Sequence, residues 1–180
     1  MNKLALAFAA ALFAAPLAAR ADIGLRVGGA ADILYNNNDG SGTHVITDNW
    51  PVELHGMLSW WTPGSLLSID AEIAEQFQGS GTGSGRIGTV FRPGVRLSPP
   101  VLPIYVRGAI PINIETANCP SGATCRETFD LRLGAGITIP LVLFKIYIEA
   151  DADFPLSSAN QVSAFNTWNV WLNGGLDFRF

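Results

Sequence analysis

Residues 167–180 read TWNVWLNGGLDFRF. Trp168, Val170, Leu172, Gly174, Leu176, Phe178 and Phe180 take alternate positions, and Thr167, Asn169, Trp171, Asn173, Gly175, Asp177 and Arg179 take the others. Apolar or small residues on one side and a mostly polar set on the other is a period of two, the signature of a strand with two unlike faces.

The same alternation extends back along the chain. Phe144, Ile146, Ile148, Ala150, Ala152 and Phe154 oppose Lys145, Tyr147, Glu149, Asp151 and Asp153. Phe129, Leu131, Leu133, Ala135, Ile137 and Ile139 oppose Asp130, Arg132, Gly134, Gly136 and Thr138. Residues 104–114 alternate Ile104, Val106, Gly108, Ile110, Ile112 and Ile114 with Tyr105, Arg107 and Asn113. Nearer the N-terminus, 23–33 carries Arg26 and Asp32 on its polar side, 52–60 carries Glu53 and His55, and 67–73 carries Asp70 and Glu72. Residues 86–97 complete the set with Arg86, Arg92 and Arg96. Eight strands of about 8 to 14 residues follow, and a tilted strand crosses a bilayer core in about 9–11. Pro93 falls inside 86–97, where it removes a ladder hydrogen bond, so a bulge is expected there.

The connections alternate in length. Segments 36–49, 78–85, 115–126 and 155–166 are the longer and are rich in Gly, Ser, Asn and Thr; 62–65, 98–103 and 140–142 are the shorter and hold Pro63, Pro99, Pro100 and Pro140. Short turns at one end and long loops at the other are the habit of transmembrane barrels. Aromatic residues gather near strand ends, with Phe77, Phe129, Phe154 and Trp168 at one level and Trp60, Phe144, Phe178 and Phe180 at the other. Two such girdles around an aliphatic band fit two membrane–water interfaces.

The first 21 residues stand apart. Lys3 precedes an apolar run over 4–17, which closes on Ala19-Arg20-Ala21, the layout of a secretory signal peptide with cleavage after Ala21. The run is shorter than the about 20 apolar residues of a helical span. Domain organisation is therefore a cleaved leader over 1–21 and one barrel domain over 22–180. In an exported chain the spacing of Cys119 and Cys125 predicts a disulfide within one loop, worth about 2 kcal/mol for so short a ring. The formal charge of −4 excludes a nucleic-acid surface. No metal or cofactor is expected.

The polar face is charged, with Arg26, Glu53, Asp70, Glu72, Arg92, Arg96, Arg107, Asp130, Arg132, Lys145, Glu149, Asp151 and Asp177. An eight-stranded barrel is only wide enough for its side chains to fill. These residues are expected to form a buried ion-pair network in the lumen and to leave no diffusion pore. A soluble barrel around a ligand would turn the apolar face inward instead.

Over 22–180 the chain resembles, in pattern, the small outer-membrane β-barrels of Gram-negative bacteria, the OmpA-like and OmpX-like eight-stranded group. Its terminal strand, with Trp168, Leu176, Phe178 and Phe180, is similar to the signal read by the barrel-assembly machinery. The resemblance implies an antiparallel up-and-down transmembrane barrel in the outer membrane, with lipid, lipopolysaccharide and the assembly machinery as partners. It also implies a non-enzymatic role carried by the loops. A narrow channel for small solutes and a soluble periplasmic ligand-binding barrel are the competing readings. Some barrels of this group modify lipopolysaccharide, but the only histidines are His44, near Ser41 and Asp48, and His55 beside Glu53. Chance neighbours in a Gly- and Ser-rich loop account for the first, and a place in the polar network for the second. The Gly-rich 79–85 is a loop rather than a phosphate cradle, because no strand-to-helix transition flanks it. If the disulfide forms, a thiol-alkylating reagent added to the oxidised, denatured protein labels neither Cys119 nor Cys125, and labels both after reduction.

Overall fold

A computed structural model of the chain describes residues 22–36, 42–46, 51–62, 66–78, 85–99, 101–116, 130–155 and 168–180. Residues 1–21 and the two cysteines lie outside these residues. The described chain is all β, with ten strands: β1 (Ile23–Asn36), β2 (Thr43–Val45), β3 (Val52–Trp61), β4 (Leu67–Gln78), β5 (Gly85–Leu97), β6 (Ile104–Ala109), β7 (Ile112–Thr116), β8 (Asp130–Pro140), β9 (Lys145–Pro155) and β10 (Trp168–Arg179). No helix among the described residues is long and apolar enough to cross a membrane.

Eight of these strands close an antiparallel barrel in the order β1-β3-β4-β5-β6-β8-β9-β10, and β10 pairs back onto β1. The seam is sealed at the chain's end, where Ile23 N–H donates to Phe180 O at 3.3 Å and Phe180 N–H to Ile23 O at 2.8 Å. The other two strands are extensions. β2 continues the ladder along β1 beyond β3, and β7 continues it along β5 beyond β6.

The expected strand over 104–114 is therefore two strands, and the expected bulge at Pro93 is not where the irregularity lies. β5 passes through Pro93 in register with Ala71 of β4. On the other side, Ile110 and Pro111 interrupt the ladder between β6 and β7, and Ile110 N–H donates to Pro93 O at 3.0 Å. A strand residue's N–H and C=O point to the same neighbour. The donor missing from Pro93 thus faces Ile110, where the neighbouring ladder is already broken, and the register shifts lie at Asp32/Leu34, Gln76/Phe77 and Thr89/Val90.

The long and short connections sort to opposite ends, although 79–84 is no longer than 98–103. Side chains part cleanly by parity. Leu54, Ile73 and Ile114 point outward and are 64%, 56% and 61% exposed. On the inward face Glu53, Asp70, Arg92 and Asp151 are each 1% exposed. Of the aromatic residues expected at the rims, Phe144 and Phe178 pack ring to ring at 5.9 Å and Phe180 is exposed, while Trp60 is buried. Phe129 lies outside the described residues. Phe91, on the outward face opposite Ile73 and Ile112, is an aromatic within the aliphatic band.

Inward glycines make room for two tyrosines. A Cβ on Gly28 would run into the Tyr147 hydroxyl and the Gly174 carbonyl, one on Gly175 into the Val27 carbonyl and the Tyr147 ring, and one on Gly136 into the Tyr105 ring. Outward Gly56 has nothing within 4 Å. Overpacking at such a site costs about 1–3 kcal/mol. Gly175→Ala should destabilise the refolded barrel by that amount in urea unfolding, with Gly56→Ala close to wild type.

Candidate functional site

The inward side chains are the candidate site, and β-strand parity alone delivers them there. Arg132 on β8 clasps Asp153 of neighbouring β9 through two parallel bonds, Nε to Oδ1 at 2.6 Å and Nη2 to Oδ2 at 2.7 Å. Its Nη1 reaches Glu53 Oε1 on β3 at 3.3 Å. In an eight-strand ring β8 and β3 stand opposite one another, so this contact spans the lumen. Arg26 on β1 makes a second crossing, donating from Nη1 to the Tyr105 hydroxyl of β6 at 3.0 Å.

Arg92 on β5 links the crossings. It grips Glu53 at 2.8 and 2.6 Å and Glu72 at 2.5 Å. Arg107 continues the row, 2.6 Å from Glu72, 3.7 Å from Glu149 and 3.6 Å from Asp70. Arg26 then joins Glu149 at 3.1 Å and Asp177 at 3.0 Å, and Arg96 joins Asp177 and Asp70, both at 3.4 Å. Bidentate and charge-assisted contacts of this kind are the stronger hydrogen bonds. Arg26 also lies over the Tyr147 ring at 4.1 Å and the Tyr105 ring at 4.8 Å.

The network gathers Arg26, Glu53, Asp70, Glu72, Arg92, Arg96, Arg107, Arg132, Glu149, Asp151 and Asp177, as the alternation anticipates. The side chain of Asp130 lies outside the described residues. Lys145 is half-exposed at the short-connection mouth and does not join. Asp32, Asp153 and Asn173 do join: Asn173 donates to Asp151 at 2.9 Å and Asn169 to Asp32 at 3.3 Å. Reading each strand separately marks these residues as polar but cannot say which wall they face. The purpose of Tyr105, Tyr147 and the inward glycines has no signal in a single strand at all.

Charge is not balanced inside. Among the described residues, five buried arginines face eight buried carboxylates, with Asp32, Asp151 and Asp153 toward the long connections. Arg26, Arg96 and Arg179 lie toward the short ones, so the barrel is electrically polarised along its axis.

Glu53, His55 and Glu72 have the mutual spacing of a metal triad, with ligand atoms within 4.8 Å of one another. The cation already between the two carboxylates is the Arg92 guanidinium, so an ion would have to displace it. His55 Nε2 is 2.5 Å from the Tyr147 hydroxyl and Nδ1 is 3.5 Å from Glu53. This row of carboxylate, imidazole and hydroxyl resembles an activated nucleophile, but Tyr147 is sealed inside at 1% exposure. His44 stacks on Tyr35 at 5.2 Å, and Ser41 and Asp48 lie outside the described residues.

No family model matches the chain, and no curated protein matches it in sequence. The likeness to small outer-membrane barrels therefore rests on pattern.

Removing one partner of a buried ion pair strands the other and costs about 3–5 kcal/mol, whereas an exposed pair is worth about 0–1 kcal/mol. Arg92→Met, which removes the closest cation from Glu53 and leaves it only Arg132 while Glu72 keeps only Arg107, should destabilise the barrel by several kcal/mol in urea unfolding. Asp22→Asn, which breaks the exposed 2.6 Å pair with Arg179, should shift it by less than about 1 kcal/mol.

Proposed function

We propose that the protein is an outer-membrane β-barrel with lipid against its apolar exterior and a packed ion-pair core in place of a pore. In this reading the chain is exported by its leader and installed by the barrel-assembly machinery, for which Phe180, Phe178, Leu176 and Trp168 form the terminal signal. Its role is non-enzymatic and is carried by the long connections, displayed on a rigid scaffold at the outer surface among lipopolysaccharide.

The inversion of burial carries the proposal. Leu54, Ile69, Ile73, Val95, Ile104 and Ile114 stand exposed around the outside while arginines and carboxylates fill the inside. A water-soluble barrel would gain by the opposite arrangement, because a continuous apolar surface around the whole circumference is far larger than soluble monomers expose. Hydrocarbon is the surrounding that makes both faces favourable, and a closed barrel leaves no unpaired backbone edge within it.

The crossings by Arg132–Glu53 and Arg26–Tyr105 favour a plugged lumen over a channel. The expected outcome of fractionation is recovery in the outer-membrane pellet, with faster migration in unheated than in heated detergent gels. Recovery in the soluble fraction with no heat shift would overturn the proposal. Planar bilayers containing the protein should stay at the conductance of bare lipid, and discrete channel openings would establish the competing reading.

A further inference from the structure

At the short-connection end the lumen widens into a partly open cavity of about 290 Å³. Its lining brings together Arg26, Arg96, Lys145 and Arg179, with Asp177 as the one acid. Asp177 is shared by Arg26 at 3.0 Å and Arg96 at 3.4 Å, and Arg179 is paired with Asp22 at 2.6 Å. The Lys145 ammonium makes no hydrogen bond or ion pair among the described residues. Ser98 and Thr138 add hydroxyl donors, and Trp61 forms an aromatic wall under Arg96 and Arg179. Arg26 and Arg96 also hold Glu149 and Asp70, so the uncommitted ammonium of Lys145, set in one hollow with three guanidiniums and two hydroxyls, makes the site for an oxyanion.

The rim of this mouth is apolar. Leu102 lines the cavity and is 54% exposed, and Val101 beside it is 90% exposed. The turn from Thr138 to Lys145, both lining residues, projects Leu141, Val142 and Leu143 outward, with Val142 wholly exposed. The two turns are tied together, Thr138 N–H donating to Pro103 O at 2.7 Å. Turn tips that face water are ordinarily built of Gly, Asn, Asp and Ser. Apolar tips ringing a cationic hollow match a ligand that is anionic at its head and apolar in its body.

We propose that this mouth binds the phosphate of an anionic glycerophospholipid, with Lys145 and the neighbouring guanidiniums on the phosphate and the turns 101–102 and 141–143 against the glycerol and acyl chains. The choice of a lipid over a soluble phosphate rests on the membrane reading, which puts this mouth at the inner leaflet. The oxyanion site itself rests only on the barrel.

The test uses the refolded barrel in uncharged maltoside micelles, titrated calorimetrically with dihexanoyl phosphatidylglycerol, dihexanoyl phosphatidylcholine and inorganic phosphate. The expected result is saturable binding of phosphatidylglycerol, about tenfold weaker in Lys145→Gln, with phosphatidylcholine and phosphate both weaker than phosphatidylglycerol by a similar factor. The pair of changes Val142→Ser and Leu143→Ser should weaken the lipid and leave phosphate unchanged. Both variants should keep the heat-dependent gel shift, since neither Lys145 nor the turn tips hold up the barrel. Affinity unaffected by Lys145→Gln overturns the site. Phosphate binding as tightly as the lipid overturns the lipid assignment in favour of a free oxyanion. Binding with the expected dependences by a protein that fractionates as soluble would overturn the membrane reading and leave the oxyanion site standing.

Discussion

A guanidinium buried away from water must find carboxylates, and in this barrel it finds them on walls other than its own. Arg132 is clasped by Asp153 on the adjacent strand and touches Glu53 on the strand opposite, and Arg92 is held between Glu53 and Glu72. The desolvation cost of so many ions is large, and such pairs are poor sources of net stability. What they do supply is intolerance of error. A slip of one residue in any strand would send its charges outward and its aliphatic residues inward, leaving partners on several other strands unmatched.

That constraint reaches the backbone. Tyr105 and Tyr147 must lie across the lumen for Arg26 to pack over them, and they fit only because Gly136, Gly28 and Gly175 present no side chain there. Closure at the seam, where Ile23 and Phe180 exchange backbone bonds, brings β1 and β10 together and so places Arg26 beside Asp177 at 3.0 Å. The exterior is the complement of the same rule. With the buried arginines and carboxylates drawn inside, the outward positions are left mostly to Leu, Ile, Val and Ala.

The interior's acid excess and its polarity along the axis give the two mouths different characters. Carboxylates crowd the end with the long connections, and cations with an apolar rim form the other. The central crossings separate the two. Among the described residues, the side chains of one mouth therefore make no direct contact with those of the other.

The eight segments of the barrel wall and the two faces of each were legible from alternation, because parity is a property of each strand alone, whereas β2 gave no such signal. The interruption at Ile110 and Pro111 was harder to see, since residues 104–114 alternate perfectly and the proline sits on the polar side of the pattern. Its consequence, that Pro93 needs no bulge, depends on Ile110 standing across from it at the break in the neighbouring strand. The sequence by itself determined that one face is charged and the other aliphatic, since alternation requires no partner. Only the tertiary structure decided which charges meet. The pairs Arg132–Glu53 and Arg26–Glu149 are brought together by the circumference and closure of the barrel, which no single strand encodes. For the same reason the cationic mouth appears only when the ends of β1, β5, β9 and β10 are gathered into one ring.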